Sequence, residues 1–304
     1  MAQAYSLDQT FIHKTTTHEH HIRWTRIGKP TSPPLVFIHG TPWSSAVWQS
    51  LTTSLSTRYN IYLYDHPGFG TSPPPHRLAV DATADNSQVD LDASLVLRAE
   101  ASAALIKHWH LASPPYVVAH DNGGLVSLRL LLEHDINFAS LCLIDVVAIG
   151  PFGLPFFKLV AENESVFKAI PENLVEGFVR AYVKSATYHP LPTEVQDMLS
   201  APWLEGGVQG SERFLREMVQ AHYRETSVIE KEYAHVGSLT PTKIIWGKDD
   251  AWIPVDTARR LMEALNAEDV VVIEEAGHLV QYDQPARLAL EVGLWLSQHS
   301  KNET

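Results

Sequence analysis

The chain predicts an α/β fold built on a mainly parallel sheet, and two observations carry this. Short apolar runs at 35–38, 61–64, 116–119, 141–144, 244–246 and 270–273 have the length of buried strands. Helical patterns separate most of them, notably over 92–110 and 255–265. Strands that alternate with helices require right-handed crossovers, which make neighbouring strands parallel.

Taken in order, the polar, alternating segment 10–27 predicts an N-terminal antiparallel hairpin. The runs at 35–38 and 61–64 then open the parallel sheet, and 92–110 supplies a crossover helix. Apolar residues 116–119 stop abruptly at His120-Asp121, two glycines follow, and an amphipathic stretch runs over 125–132. That pattern is a strand, a sharp turn and a helix. The rhythm breaks at 148–236, where only helix-like segments occur after a Gly/Pro-rich crossing. Leu174, Phe178 and Tyr182 share one helical face there, and Leu215, Val219 and Tyr223 another. The expected organisation is a core of 1–147 and 237–304 with a helical cap, 148–236, over the strand ends where open parallel sheets bind ligands.

Composition narrows the function. A chain of 304 residues fits one domain with an insertion, and its net charge of −12 is scattered rather than gathered in a tail. Nucleic acids and anionic membranes attract basic patches, so neither is an expected partner. The single cysteine, Cys142, excludes an intramolecular disulfide and sits in an apolar run, where a buried structural thiol is expected. Residues 1–17 lack the apolar core of a signal peptide and no stretch is long enough to span a bilayer, so a soluble cytoplasmic protein is expected. No phosphate-binding loop or cofactor fingerprint occurs, and no cofactor is expected. The cluster His18-Glu19-His20-His21 raises a metal site, but its alternating pattern predicts solvent-facing strand residues, with His18 and His20 on one face.

The turn at Asp121 carries the chemistry. A strand–turn–helix of this kind is the setting of a nucleophile elbow, whose central residue is ordinarily serine. A carboxylate there is ionised at neutral pH without a base and suits attack on saturated carbon. The competing reading is a plain turn aspartate, since Asp-Asn-Gly-Gly is good turn chemistry.

Further motifs fall in a fixed order: His39-Gly40-Thr41-Pro42-Trp43, Asp65-His66-Pro67-Gly68-Phe69-Gly70-Thr71-Ser72, the Trp246-Gly247-Lys248-Asp249-Asp250 segment, and Gly277-His278. Together they resemble the α/β-hydrolase superfamily, in its Asp-nucleophile branch of epoxide hydrolases and haloalkane dehalogenases. The resemblance implies an α/β-hydrolase fold and a triad of Asp121, His278 and Asp250, with the backbone amides of Thr41 and Asn122 as the oxyanion hole. It implies a covalent alkyl-enzyme ester on Asp121, hydrolysed by water that His278 activates. Asp145, at the end of the 141–144 run, is the alternative acid, since some dehalogenases of the superfamily carry it there.

The departures choose the reaction. Haloalkane dehalogenases resemble the 39–45 segment, yet hold halide with a tryptophan after the nucleophile where this chain has Asn122. Haloacetate dehalogenases use arginines where this chain has Asn122 and Leu125. His222-Tyr223-Arg224 resembles the cap motif of epoxide hydrolases, which makes Tyr223 the candidate acid for ring opening; Tyr182 or Tyr188 could be the second cap tyrosine. The expectation is epoxide hydrolysis on a small apolar electrophile. Dehalogenation is the first alternative, and a non-hydrolytic enzyme or ligand receptor on the same fold is the second. Trp43 and Trp48 could line the pocket or pack in the core.

Overall fold

The computed structural model describes residues 5–78, 94–150, 155–205, 208–220 and 227–300. Within them lie β1 Gln9–Lys14, β2 His18–Ile27, β3 Pro34–Ile38, β4 Asn60–Tyr64, β5 His76–Arg77, β6 Tyr116–His120, β7 Ser140–Ile144, β8 Thr242–Gly247 and β9 Asp269–Ile273. They join in one sheet of order β1-β2-β4-β3-β6-β7-β8-β9, with β5 on β2. All pairings from β4 to β9 are parallel, whereas β1, β2 and β5 pair antiparallel. This is the α/β architecture that the alternating runs predict. At two residues, β5 is too short to leave a periodicity in the sequence.

Strands β3, β4, β6 and β7 are buried at every position, which accounts for their unbroken apolar runs. Val36, Ile38, Val117 and Ala119 face one core, shared with the helix Leu95–His108. Leu35, Phe37, Tyr116, Val118 and Cys142 face the other, with the helix Pro285–His299. Trp43 and Trp48 also lie in this second core. Burial pushes the Cys142 thiol up to about 12, as expected of a structural thiol.

The histidine cluster departs from the sequence reading. His18 and His20 are buried rather than solvent-facing. They stand on the same face of β2 as Ile22, which packs in the first core, so it is the covered face of the strand that carries them. Only His21 reaches the surface, bonded to Glu19 at 2.6 Å. Among the described residues no group of three or more His, Cys, Asp or Glu is placed to hold a metal ion. No described helix is long and apolar enough to cross a membrane.

Between β7 and β8 the described residues form helices, chiefly Pro155–Glu162, Glu172–Lys184, Thr193–Leu204 and Val208–Gln220. They enclose a core of their own, with Val160, Val175, Val179, Tyr182, Trp203, Phe214, Leu215 and Met218 packed against Phe69. Leu174 does not join it and is 58% exposed. The buried stripe is instead Val175, Val179 and Tyr182, the i, i+4, i+7 face, and Leu174 stands just beside it. Tyr223 lies outside the described residues.

Strands β3 and β6 are adjacent although the chain passes through β4 between them, so loops diverge from their carboxyl ends. Such a switch point is where open parallel sheets form their sites. Residues 39–43 leave β3 there, and Asp121 leaves β6.

Candidate active site

Asp121 joins β6 to the helix Asn122–Leu132 at φ 52° and ψ −130°, a conformation that residues with a side chain rarely adopt. Backbone bonds on all sides hold it there. Its N–H donates to Ile144 O at 3.3 Å, and its carbonyl accepts from Gly124 at 2.9 Å and Val147 at 3.0 Å. Glycine at 124 is required because a Cβ would overlap the Val146 side chain. The helix can therefore start tight against the sheet, with its first amides beside the carboxylate.

The two carboxylate oxygens have different surroundings. Oδ1 accepts the Thr41 N–H at 2.6 Å, and the Asn122 backbone amide also bonds this carboxylate. Oδ2 lies 3.2 Å from His278 Nε2. His278 Nδ1 in turn lies 2.9 Å from Asp250 Oδ2, while Asp250 Oδ1 accepts from the amides of Trp252 and Ile253 at 2.7 and 3.0 Å. The structure thus brings Asp121, His278, Asp250, Thr41 and Asn122 into one constellation, almost entirely buried.

Burial alone would lower the His278 pKa, but the flanking carboxylates of Asp250 and Asp121 outweigh it and push it up to about 10. Burial would raise Asp121, yet the His278 bond and charge hold its carboxyl below the usual range. His120, beneath them, gives its Nε2–H to His278 O at 2.8 Å. Burial and then the neighbouring His278 charge push His120 down to about 3, so it is a neutral support.

Asp145 sits apart from the histidine. Its Oδ1 accepts the Gly247 amide at 2.7 Å, and burial, reinforced by the Asp250 charge, raises its pKa well above the ordinary value. Asp145 is thus turned toward β8, whereas Asp250 is bonded to the imidazole.

Other participants left little trace in the sequence. Arg98, from the helix Leu95–His108, is buried; it donates to Thr41 Oγ1 at 2.9 Å and lies over the Phe69 ring at 4.5 Å. It also pairs with buried Glu217 of the helix Val208–Gln220. Trp203, from the helix Thr193–Leu204, donates its Nε1–H to Pro42 O at 2.7 Å. Two inserted helices therefore grip the loop that carries the Thr41 amide. Below it, His39 Nδ1–H bonds Gly40 O at 2.9 Å and His39 Nε2 accepts the His66 amide at 3.0 Å, fixing the loop's root. Charges on a helical pattern ordinarily mark a solvated face, which is why Arg98 and Glu217 did not stand out.

Tyr182 reaches the site from the insertion. It is buried, and among the described residues its hydroxyl has no hydrogen-bond partner. Burial, then the charges of Asp121 and Asp250, raise its pKa well above the ordinary phenol value, so it stays protonated. Tyr188, by contrast, is half exposed.

Comparisons with known proteins identify the family of this fold. A family model described as the alpha/beta hydrolase family matches residues 35–292. A crystal structure of an α/β hydrolase fold protein from Burkholderia ambifaria is 33% identical, with a TM-score of 0.83, covering 95% of this chain and 98% of that one. A cis-3-alkyl-4-alkyloxetan-2-one decarboxylase from Xanthomonas campestris is 24% identical over 87% of this chain and 88% of its own length. Epoxide hydrolase 1 of Caenorhabditis elegans is 21% identical over 91% of this chain and 68% of its own length. The matched segment runs from β3 through the C-terminal helix and takes in the whole constellation, so the chain belongs to the alpha/beta hydrolase family.

Proposed function

We propose that this protein hydrolyses epoxides to vicinal diols through a covalent ester on Asp121. The observation that carries the reading is the split environment of that carboxylate. One oxygen accepts the Thr41 amide and the other lies beside a histidine, with the Asn122 amide also bonded to the carboxylate. Oδ2 attacks a ring carbon, the carbon–oxygen bond breaks, and the alkoxide takes a proton from a tyrosine hydroxyl of the insertion. Tyr223 remains the motif-based donor. Tyr182 is the second, supported by its largely buried side chain and by the Asp121 charge that acts on its phenol. The insertion, 148–236, acts as the cap.

Ester formation removes the negative charge of Asp121, and with it part of what keeps His278 protonated, so the imidazolium returns its proton to the tyrosinate left by ring opening. The neutral imidazole then takes a proton from water, which attacks Cγ. The oxyanion develops on Oδ1, against the Thr41 and Asn122 amides, and as the ester bond breaks the new carboxyl passes its proton to the leaving alkoxide, releasing the diol and restoring the Asp121 carboxylate. Asp250 orients His278 and stabilises its protonated form.

A second reading has the same carboxylate acting on another electrophile. The decarboxylase relative is named for a four-membered lactone, a strained ring like an epoxide, which supports a non-hydrolytic ring opening. One experiment separates these. His278→Gln blocks the second step, so intact-mass analysis after exposure to aryl and alkyl epoxides is expected to show Asp121 carrying the whole epoxide mass. An alkyl fragment with released halide, from haloalkanes, would reassign the protein to dehalogenation. An adduct only from oxetan-2-ones would favour the second reading, and no adduct from any panel would overturn covalent catalysis on these substrates.

A further inference from the structure

Trp252 follows Asp250 by two residues, and its half-buried indole packs against all three apolar cores, those of both sheet faces and that of the insertion. Its backbone N–H donates to Asp250 Oδ1 at 2.7 Å. Its ring stacks on His278, with centroids 4.7 Å apart and planes 27° apart, and on Trp43 at 5.6 Å and 13°. Toward the insertion, it lies 4.4 Å from the Tyr182 ring, and its Nε1–H donates to Ser185 Oγ at 3.1 Å.

We propose that Trp252 is a positioning residue that fixes the His278 imidazole by stacking on its face. Asp250 at Nδ1 and Asp121 beyond Nε2 define the long axis of the imidazole, but neither prevents the ring from tilting about that axis. A parallel aromatic face does. The indole's negative face also favours the imidazolium over the neutral ring, as cation–π contacts do. The charged and titratable groups facing His278 are the carboxylates of Asp121, Asp250 and Asp145, neutral His120 with its ring at 4.8 Å, and Tyr182 near the two triad carboxylates. Asp121 and Asp250 set the charge; Trp252 adds the face that holds the ring in line.

The inference rests on His278 being the base, yet its test needs no substrate. The imidazole of His278 is titrated by NMR in isotope-labelled protein, assigned by difference from His278→Gln. Trp252→Phe keeps a stacked ring and is expected to titrate close to wild type. Trp252→Leu keeps apolar bulk without the π face and is expected to titrate about half a pH unit lower. Identical titrations of the Phe and Leu variants would overturn the proposal. Ser185→Ala removes only the bond to the insertion and should leave the titration at its wild-type value. A shift there as large as that of Trp252→Leu would mean that cap packing, and not the stacked ring, sets His278, and would also overturn it. Absence of epoxide turnover in the wild type would overturn the proposed reaction while leaving these titrations as they stand.

Discussion

Gly40 and Asp121 share a space that admits only one side chain. A Cβ at position 40 would lie 2.7 Å from the Asn122 amide nitrogen and closer still to Asp121 Oδ1. Gly40→Ala is therefore expected to displace the carboxylate from its amide cradle while the fold survives. Loss of one such donor costs about 10²–10³-fold in kcat. Steady-state kinetics together with circular dichroism check this; unaltered kcat in a folded variant would show that the cradle is unimportant.

Asp145 and Asp250 can be told apart by charge. Burial and the nearby Asp250 charge raise the Asp145 pKa, and its Oδ1 accepts the Gly247 amide rather than bonding His278, so Asp145→Asn keeps both its shape and that bond. Its effect on kcat is expected to be less than about tenfold, whereas Asp250→Asn leaves His278 without its orienting carboxylate and should cost about 10⁴-fold. Comparable losses in the two variants would reopen the assignment of the acid.

The raised pKa of His278 gives stability a pH dependence. The folded value of about 10 exceeds the unfolded one near 6.5, so this contribution is complete below about pH 6.5 and lost as pH rises through about 10. Asp121→Asn removes one of the two carboxylates responsible and brings the folded value down. Between pH 7 and 10 the variant's Tm should fall less steeply than that of the wild type. Thermal unfolding across that range measures it, and parallel slopes would contradict the charge assignment.

The Arg98–Glu217 pair links the sheet to the insertion out of contact with water. Glu217→Gln leaves a buried guanidinium without its counter-charge, a change that typically costs about 3–5 kcal/mol. The double variant Arg98→Met with Glu217→Leu should recover most of that stability in urea unfolding, but not the placement of Thr41. Its kcat should accordingly stay depressed. Full recovery of kcat would show that Arg98 serves packing alone.

Much of the architecture was legible because single elements carry strong patterns. The strand β6 stops at His120 and the helix begins at Asn122 where two glycines mark the turn, and the hairpin of β1 and β2 shows in its alternation. The proximity of Asp121, Asp250 and His278 was legible from motif order, since each follows a strand end of one parallel sheet. What stayed hidden depends on pairing between distant elements. His18 and His20 looked exposed because alternation separates the two faces of a strand without telling which one the core covers. Leu174 looked buried because a helical stripe read without its partner is uncertain by one residue. Arg98, Glu217 and Trp252 matter only through partners on other elements.

The grip of Trp203 on Pro42, and of Glu217 on the arginine that holds Thr41, bears on how such enzymes diversify. An insertion that merely roofed the nucleophile could be exchanged between relatives as a self-contained part. Here the inserted helices also brace the loop whose Thr41 amide bonds the Asp121 carboxylate. A chimera that imports a foreign roof would bring strangers to that loop and would have to inherit the loop along with it. Selectivity and chemical competence are consequently heritable together, and new specificities are more accessible through substitutions inside the native roof than through its replacement.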